Sequence, residues 1–199
     1  MKTSLAIGIT GILGSGKTTV LKILKKMGFK TISCDDIVHK LLDRKDIIKK
    51  FRKILGSEII KNNKIDRKKV REIIFNNSEK KKKIEGILHP EVFKKIRKEI
   101  LDIRKKKSII FIEVPLLFET KSEKLFDKIM VVTACREEIK NRLKNKYTEE
   151  EIENIWQNQL SLTYKEKKAD YIIDNSSSII KTEKNVKEIL NKVLKEIKH

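Results

Sequence analysis

The chain has 199 residues, of which 39% are hydrophobic and 38% charged, and a formal net charge of +20. That length holds one α/β core with small inserted elements, and no apolar run approaches the roughly eighteen residues needed to span a membrane. The two cysteines, Cys34 and Cys135, have no histidine or second cysteine nearby at ligand spacing, which argues against a disulfide framework or a zinc site. The short apolar segment after Ser4 runs into a glycine motif, not a small-residue cleavage site, so the expectation is a cytosolic chain without a signal peptide. Only eight of the 48 basic residues are Arg, and Arg is the better group for reading bases and phosphates in fixed geometry. Most of the lysine is therefore read as solvating helix faces, with a general attraction for polyanionic ligands. No specific nucleic-acid partner and no membrane partner is expected. A basic nucleic-acid binder that uses a nucleotide as a switch stands as the rival from another class.

Residues 5–9 form a short apolar run bounded by turn residues and predict a buried parallel strand. Residues 11–16 follow as a loop. From Lys17 onward Val20, Ile23, Leu24 and Met27 recur at helical spacing, and Gly28 is suited to end that helix. Residues 29–33 predict a second strand, so the chain opens as strand, loop, helix, strand, the start of a doubly wound sheet. Residues 37–107 are helical and strongly charged, with few strand signals; Ile73, Ile74, Ile84, Ile87 and Leu88 supply apolar faces. The sheet returns at residues 108–114, 128–133 and 171–174. Residues 137–160 are polar and helical, and Thr148 with Glu151 predicts a capping box at a helix start. Residues 179–197 predict a closing amphipathic helix. The expected fold class is α/β, a P-loop NTPase fold with a parallel sheet flanked by helices.

Gly11-Ile12-Leu13-Gly14-Ser15-Gly16-Lys17-Thr18 matches G-x-x-x-x-G-K-[ST] in full, after a predicted strand and before a predicted helix. A loop that wraps phosphates needs backbone N–H groups close to the anion and no side chains in the way, which Gly14 and Gly16 supply. The helix N-terminus adds partial positive charge. Lys17 carries a mobile charge to the β and γ phosphates, and the Thr18 hydroxyl can bind Mg²⁺. A P-loop alone does not separate kinases from GTPases or motor ATPases. Asp35 follows the second strand at the ligand side of a parallel sheet, where a carboxylate can accept a proton from an attacking hydroxyl. It can equally be the N-cap of a helix at Ile37, a role open to Asp36 as well.

The assembled motifs resemble the dephospho-coenzyme A kinase family. Thr10 to Thr18 is similar to that family's T-G-G-I-G-S-G-K-[ST], and Ile32-Ser33-Cys34-Asp35 to its I-D-A-D. Asp66-Arg67, Arg71 and Ile74-Phe75 resemble D-R-x-x-L-R-x-x-I-F. Leu88-His89-Pro90 matches L-H-P, Val114-Pro115-Leu116-Leu117-Phe118-Glu119 matches V-P-L-L-F-E, and Ala169 to Asn175 resembles A-D-x-V-I-D-N. The matches run in the family's order over most of the chain. The resemblance implies transfer of the ATP γ-phosphoryl group to the 3′-hydroxyl of dephospho-coenzyme A, with ATP and dephospho-CoA as partners and Mg²⁺ as cofactor. It implies a nucleotide-binding core from residues 1–36, 108–136 and 161–199, a helical substrate-binding region at 37–107 and a lid at 137–160. A monomer is the expected assembly.

Residue by residue, the resemblance implies Asp35 as the base, with Lys17 and Arg142 also catalytic. It implies ATP binding by Gly11, Leu13, Gly14, Ser15, Gly16, Lys17, Thr18, Thr19 and Asn175. It implies substrate binding by His89, Pro90, Arg67 and Arg71. Two positions depart from the pattern: Ile12 stands where the family keeps glycine, and Ser33 where it has the first Asp of D-A-D. In the lid, Arg142 aligns with one family arginine, while Lys144 or Lys146 takes the place of a second. Bland readings stand beside these roles. Arg142 is spaced to pair with Glu138, Pro90 to start a helix, and Arg67 and Arg71 to lie on a solvated face. Glu119 reads as a turn cap as readily as a site residue, Glu113 occupies a Walker-B-like place, and Trp156 reads as packing.

Overall fold

The computed structural model describes residues 4–198. In chain order its elements are β1 (Leu5–Thr10), α1 (Lys17–Lys26), β2 (Lys30–Ser33), α2 (Cys34–Leu42), α3 (Lys45–Leu55), β3 (Ile60–Lys61), β4 (Lys64–Ile65), α4 (Arg67–Phe75) and α5 (Ser78–Lys105). There follow β5 (Ile109–Glu113), β6 (Lys128–Thr133), α6 (Arg136–Leu143), α7 (Glu149–Gln157), α8 (Leu162–Lys167), β7 (Tyr171–Asp174) and α9 (Ile179–Lys198). The chain divides into two compact units, Met1–Ser33 with Glu99–His199, and Cys34–Lys98. No helix among the described residues is long and apolar enough to cross a membrane.

The first unit is built on a five-stranded sheet in the order β2-β5-β1-β6-β7, with every pairing parallel. Continuous apolar runs such as Ile-Ile-Phe-Ile in β5 make strands only where both faces are covered, and all six residues of β1 and all five of β5 are buried. On one face Leu5, Ile7 and Ile9 pack with Val20, Ile23 and Leu24 of α1 and with Val186, Leu190 and Val193 of α9. The helices form because their apolar residues fall on one stripe, which the sheet then buries. From β1 the chain crosses to β2 on one side, and from β5 it crosses to β6 on the other. The strand order therefore reverses at the carboxyl end of β1, where ligands of open α/β sheets bind.

The second unit has its own core, in which Leu42, Ile47, Phe51, Leu55, Ile59, Ile65, Val70 and Ile84 are buried together. Three expectations are corrected here. The stretch is not helical throughout: β3 and β4 form an antiparallel hairpin around Asn62 and Asn63, both left-handed at φ 51° and 58°. Asparagine tolerates that conformation, and two such residues make a two-residue hairpin turn. Pro90 starts no helix; it lies inside the 28-residue α5, where it lacks the N–H that would bond the Gly86 carbonyl. Neither Asp35 nor Asp36 is an N-cap, because α2 begins at Cys34 and holds both in its first turn. There their charge complements the helix dipole. The Thr148–Glu151 capping box forms as read.

Phe51 is 1% exposed at the centre of the second core. Phe51→Ala is expected to lower unfolding free energy by about 3–5 kcal/mol through lost transfer energy and a residual cavity. Denaturant unfolding followed by circular dichroism measures this, and a change below about 1 kcal/mol would contradict the packing described.

Candidate active site

The loop between β1 and α1 lies at the reversal point of the sheet. Gly14 and Gly16 have φ of 82° and 94°, in the left-handed region. A Cβ on Gly16 would lie 1.8 Å from Asn175 Nδ2, and one on Gly14 would lie 2.5 Å from Ile139 Cγ2. Any larger residue is therefore excluded by conformation and by space together. The Ser15 amide donates to the Ile12 carbonyl at 3.2 Å, and α1 begins with the Thr19 and Val20 amides donating to the Gly16 carbonyl at 3.0 and 3.1 Å. Lys17 is buried, and its Nζ donates to the carbonyls of Gly11 at 3.2 Å and Ile12 at 2.9 Å. The cation thus lies across the loop that its motif assigns to phosphate.

Thr18 and Glu113 meet at the carboxyl ends of β1 and β5. The Thr18 hydroxyl donates to Glu113 Oε1 at 3.2 Å, and Glu113 is 3% exposed. Parallel register sets Glu113 beside Ile9 on one neighbour and Ser33 on the other. A hydroxyl and a carboxylate are the hard oxygen groups Mg²⁺ takes, alongside phosphate oxygens and water.

Asn175 follows β7 and is 4% exposed. Its Nδ2 donates to the Ser15 carbonyl at 2.9 Å, and its Oδ1 accepts from the Thr182 hydroxyl at 2.8 Å. Arg142 on α6 reaches the same place. Its guanidinium donates to the Asn175 carbonyl at 2.6 Å, to Glu138 at 3.1 Å and to the Gly14 carbonyl at 3.5 Å. The helix pair with Glu138 and the reach to the loop therefore coexist. Lys144 and Lys146 are exposed. Nearby, the Ser176 hydroxyl and amide donate to Asp174 and hold its carboxyl below its usual range.

The remaining sequence-derived candidates belong to the second unit. Asp35 is the second residue of α2, which follows β2 without a loop. His89 is half-buried with its ring centroid 6.0 Å from that of Phe93, and Pro90 is exposed. Arg67 and Arg71 are exposed on α4, whose N-cap is Asp66.

Sequence reasoning missed what surrounds the loop. Gln159 Oε1 accepts from the Leu13 amide at 3.2 Å, and Trp156 Nε1 donates to the Leu13 carbonyl at 3.4 Å. Lys165 is fully buried and lies 2.8 Å from Glu119 Oε1, which also accepts from the Leu160 amide at 2.9 Å. By distance this is an ion pair, although Lys165 Nζ and Glu119 Oε2 make no well-formed hydrogen bond among the described residues. Glu119 therefore caps no turn of its own; it anchors the segment after α7. No local pattern marks these contacts, since the partners lie far apart in sequence.

A parallel sheet that reverses at a P-loop, with a lysine over the loop and a hydroxyl–carboxylate pair beside it, defines a P-loop phosphotransferase fold. The model of the dephospho-CoA kinase family matches residues 5–181. The dephospho-CoA kinase of Fusobacterium nucleatum subsp. nucleatum is 39% identical over 158 residues, covering 78% of this chain and 81% of that protein. The solved dephospho-CoA kinase from Campylobacter jejuni superposes with a TM-score of 0.69 at 31% identity, over 96% of this chain and 98% of the other. A shikimate kinase from Acinetobacter baumannii, TM-score 0.57 at 14% identity over 98% and 96% of the two chains, shares the fold. This chain belongs to the dephospho-CoA kinase family.

Removing Lys165 leaves the largely buried Glu119 carboxylate without its cation. Lys165→Met is expected to destabilise by about 3–5 kcal/mol, and Glu119→Gln on that background to recover most of the loss. Thermal unfolding of the single and double variants checks this; a double variant no more stable than Lys165→Met would rule the pairing out.

Proposed function

We propose that the chain transfers the γ-phosphoryl group of ATP to the 3′-hydroxyl of dephospho-CoA, giving CoA and ADP, the last step of coenzyme A synthesis. The observation that carries the reading is the glycine loop at the end of β1, with Lys17 lying across it, in a chain whose family is named for this activity. The reading makes the enzyme cytoplasmic.

On this reading the amides of Gly14, Gly16, Lys17 and Thr18 at the α1 N-terminus take the triphosphate, while those of Leu13, Ser15 and Thr19, which donate to Gln159 and to the Ile12 and Gly16 carbonyls, shape the loop around it. Lys17 leaves the Gly11 and Ile12 carbonyls for the β and γ phosphates, and Arg142 holds charge that develops on the transferring group. Thr18 and Glu113 would hold Mg²⁺, which would supply positive charge against the triphosphate. Asn175 serves ATP by holding the loop, since both ends of its amide are already bonded. The ribose 3′-oxygen forms a bond to the γ-phosphorus as the bond from that phosphorus to the β,γ-bridging oxygen breaks. The hydroxyl proton passes to the Asp35 carboxylate and ADP leaves. What supports Asp35 is its place directly after β2, whose last residue is paired with Glu113. His89, Pro90, Arg67 and Arg71, on the unit made of Cys34–Lys98, are the candidates for binding the substrate.

ADP release measured by a coupled assay over a panel of hydroxyl acceptors tests the activity. Release with dephospho-CoA is expected, and release with another acceptor alone would overturn the reading. Asp35→Asn is expected to keep ATP binding and lose roughly 10²–10⁴-fold in kcat; near-normal turnover would remove Asp35 as the base. Lys17→Ala is expected to lower kcat by roughly 10²–10³-fold through lost charge stabilisation, and an unchanged rate would sink the role of the loop.

A further inference from the structure

Leu13 is held by both of its peptide groups, and both partners come from one short stretch far along the chain. Its N–H donates to Gln159 and its carbonyl accepts from the Trp156 indole, at 3.2 and 3.4 Å. The Ile12 and Leu13 side chains are tied to α6 and α7 as well. Ile12, Leu13, Tyr147 and Trp156 all pack on a cluster of Ala134, Ile139, Leu143 and Ile152. The Arg136 guanidinium lies over the Trp156 ring at 5.2 Å and also pairs with Glu153, which fixes the ring's orientation. A cavity of about 520 Å³ opens beside these contacts, lined by Ile12, Ala134, Ile139, Trp156 and Leu160 among others. The hydrogen bonds to Leu13 thus join α7 and the residues after it to the loop beside the apolar cluster.

A turn held at both its N–H and its C=O by side chains from elsewhere has little freedom of its own. The Leu13 peptide belongs to the loop whose amides define where the phosphates sit. A loop displaced by a fraction of an ångström moves the γ-phosphorus out of line with its acceptor. We infer that Gln159 and Trp156 are positioning residues for phosphoryl transfer, which clamp the two peptide groups of Leu13 and so lock the shape of the phosphate loop to that of the α6–α7 segment. Neither touches a reacting atom. Ile12 extends the clamp by burying a branched side chain against the same segment.

The inference rests on the kinase reading above, and its test separates the two. Gln159→Met keeps length and removes the acceptor; Trp156→Phe keeps an aromatic ring and removes the donor. Each is expected to lower kcat for ADP formation by roughly ten- to hundredfold, with the KM for dephospho-CoA unchanged and the melting temperature within a few degrees of the parent. The double variant is expected to lose no more than the worse single variant, because both act on the backbone of one residue. Mg-ATP is also expected to change the fluorescence of Trp156, the chain's single tryptophan, in the parent and to change it less in the Gln159→Met protein. Unchanged kcat in both single variants, or losses that multiply in the double, would overturn the clamp while the parent enzyme stays active. A parent that releases no ADP would overturn the kinase reading instead.

Discussion

A loop that must surround phosphate with backbone N–H groups cannot stiffen itself with side chains, so its shape has to be imposed from outside. Asn175 does this from several directions at once. Its own amide is tied to the Thr133 carbonyl at the end of β6, its Nδ2 to Ser15, its Oδ1 to Thr182 at the start of α9, and its carbonyl to Arg142. The side-chain Nδ2 lies where a Gly16 side chain would be. Glycine is thus required at position 16 by the group that fixes the loop as well as by its left-handed φ. The sheet edge, the closing helix and α6 all contribute to that one bracket, and the loop's geometry follows from where they pack.

Much of the frame was legible in the sequence because it is written in short-range patterns. Residues 128–133 and 171–174 read as strands and are β6 and β7, since a continuous apolar run bounded by turns has few other places to go. The closing helix and the Thr148 cap read as clearly. The hairpin at Ile60–Lys61 and Lys64–Ile65 was less so: a two-residue ladder is too short to show alternation, and the pair Asn62-Asn63 was its one signal. Pro90 misled because the local rule that breaks helices at proline was overridden by the surrounding packing, in which Val92, Ile96 and Ile100 keep the helix buried beyond it.

The site was legible only in part, and for a physical reason. The glycine loop, Lys17 and Thr18 announce themselves because phosphate chemistry demands those residue types at that spacing. The position of Asn175 after the last strand was also readable, but the partners of its amide were not. Contacts such as Gln159 to Leu13, or Lys165 to Glu119, join residues more than forty positions apart. They depend on the direction of single side chains within the folded unit, which periodicity does not encode. The same holds for charge. A net charge of +20 describes a lysine-rich surface, whereas at the loop Arg142 is matched locally against Glu138 and the Glu113 carboxylate accepts from the neutral Thr18 hydroxyl.

Ile12 connects these threads. At the first turn of a phosphate loop, a glycine would leave the chain free to adopt the bound shape and free to lose it. A β-branched residue restricts the backbone, which is a disadvantage unless the restricted shape is the needed one. Here the side chain is partly buried against the cluster of α6 and α7, and the next residue, Leu13, has its N–H bonded to Gln159 and its carbonyl to Trp156. The loss of local freedom is thereby turned into a constraint shared with the α6–α7 segment. With a glycine at this position, the loop would keep Asn175 and the bonds to Leu13 but lose its apolar anchor; with Ile12, that anchor is present before any phosphate arrives.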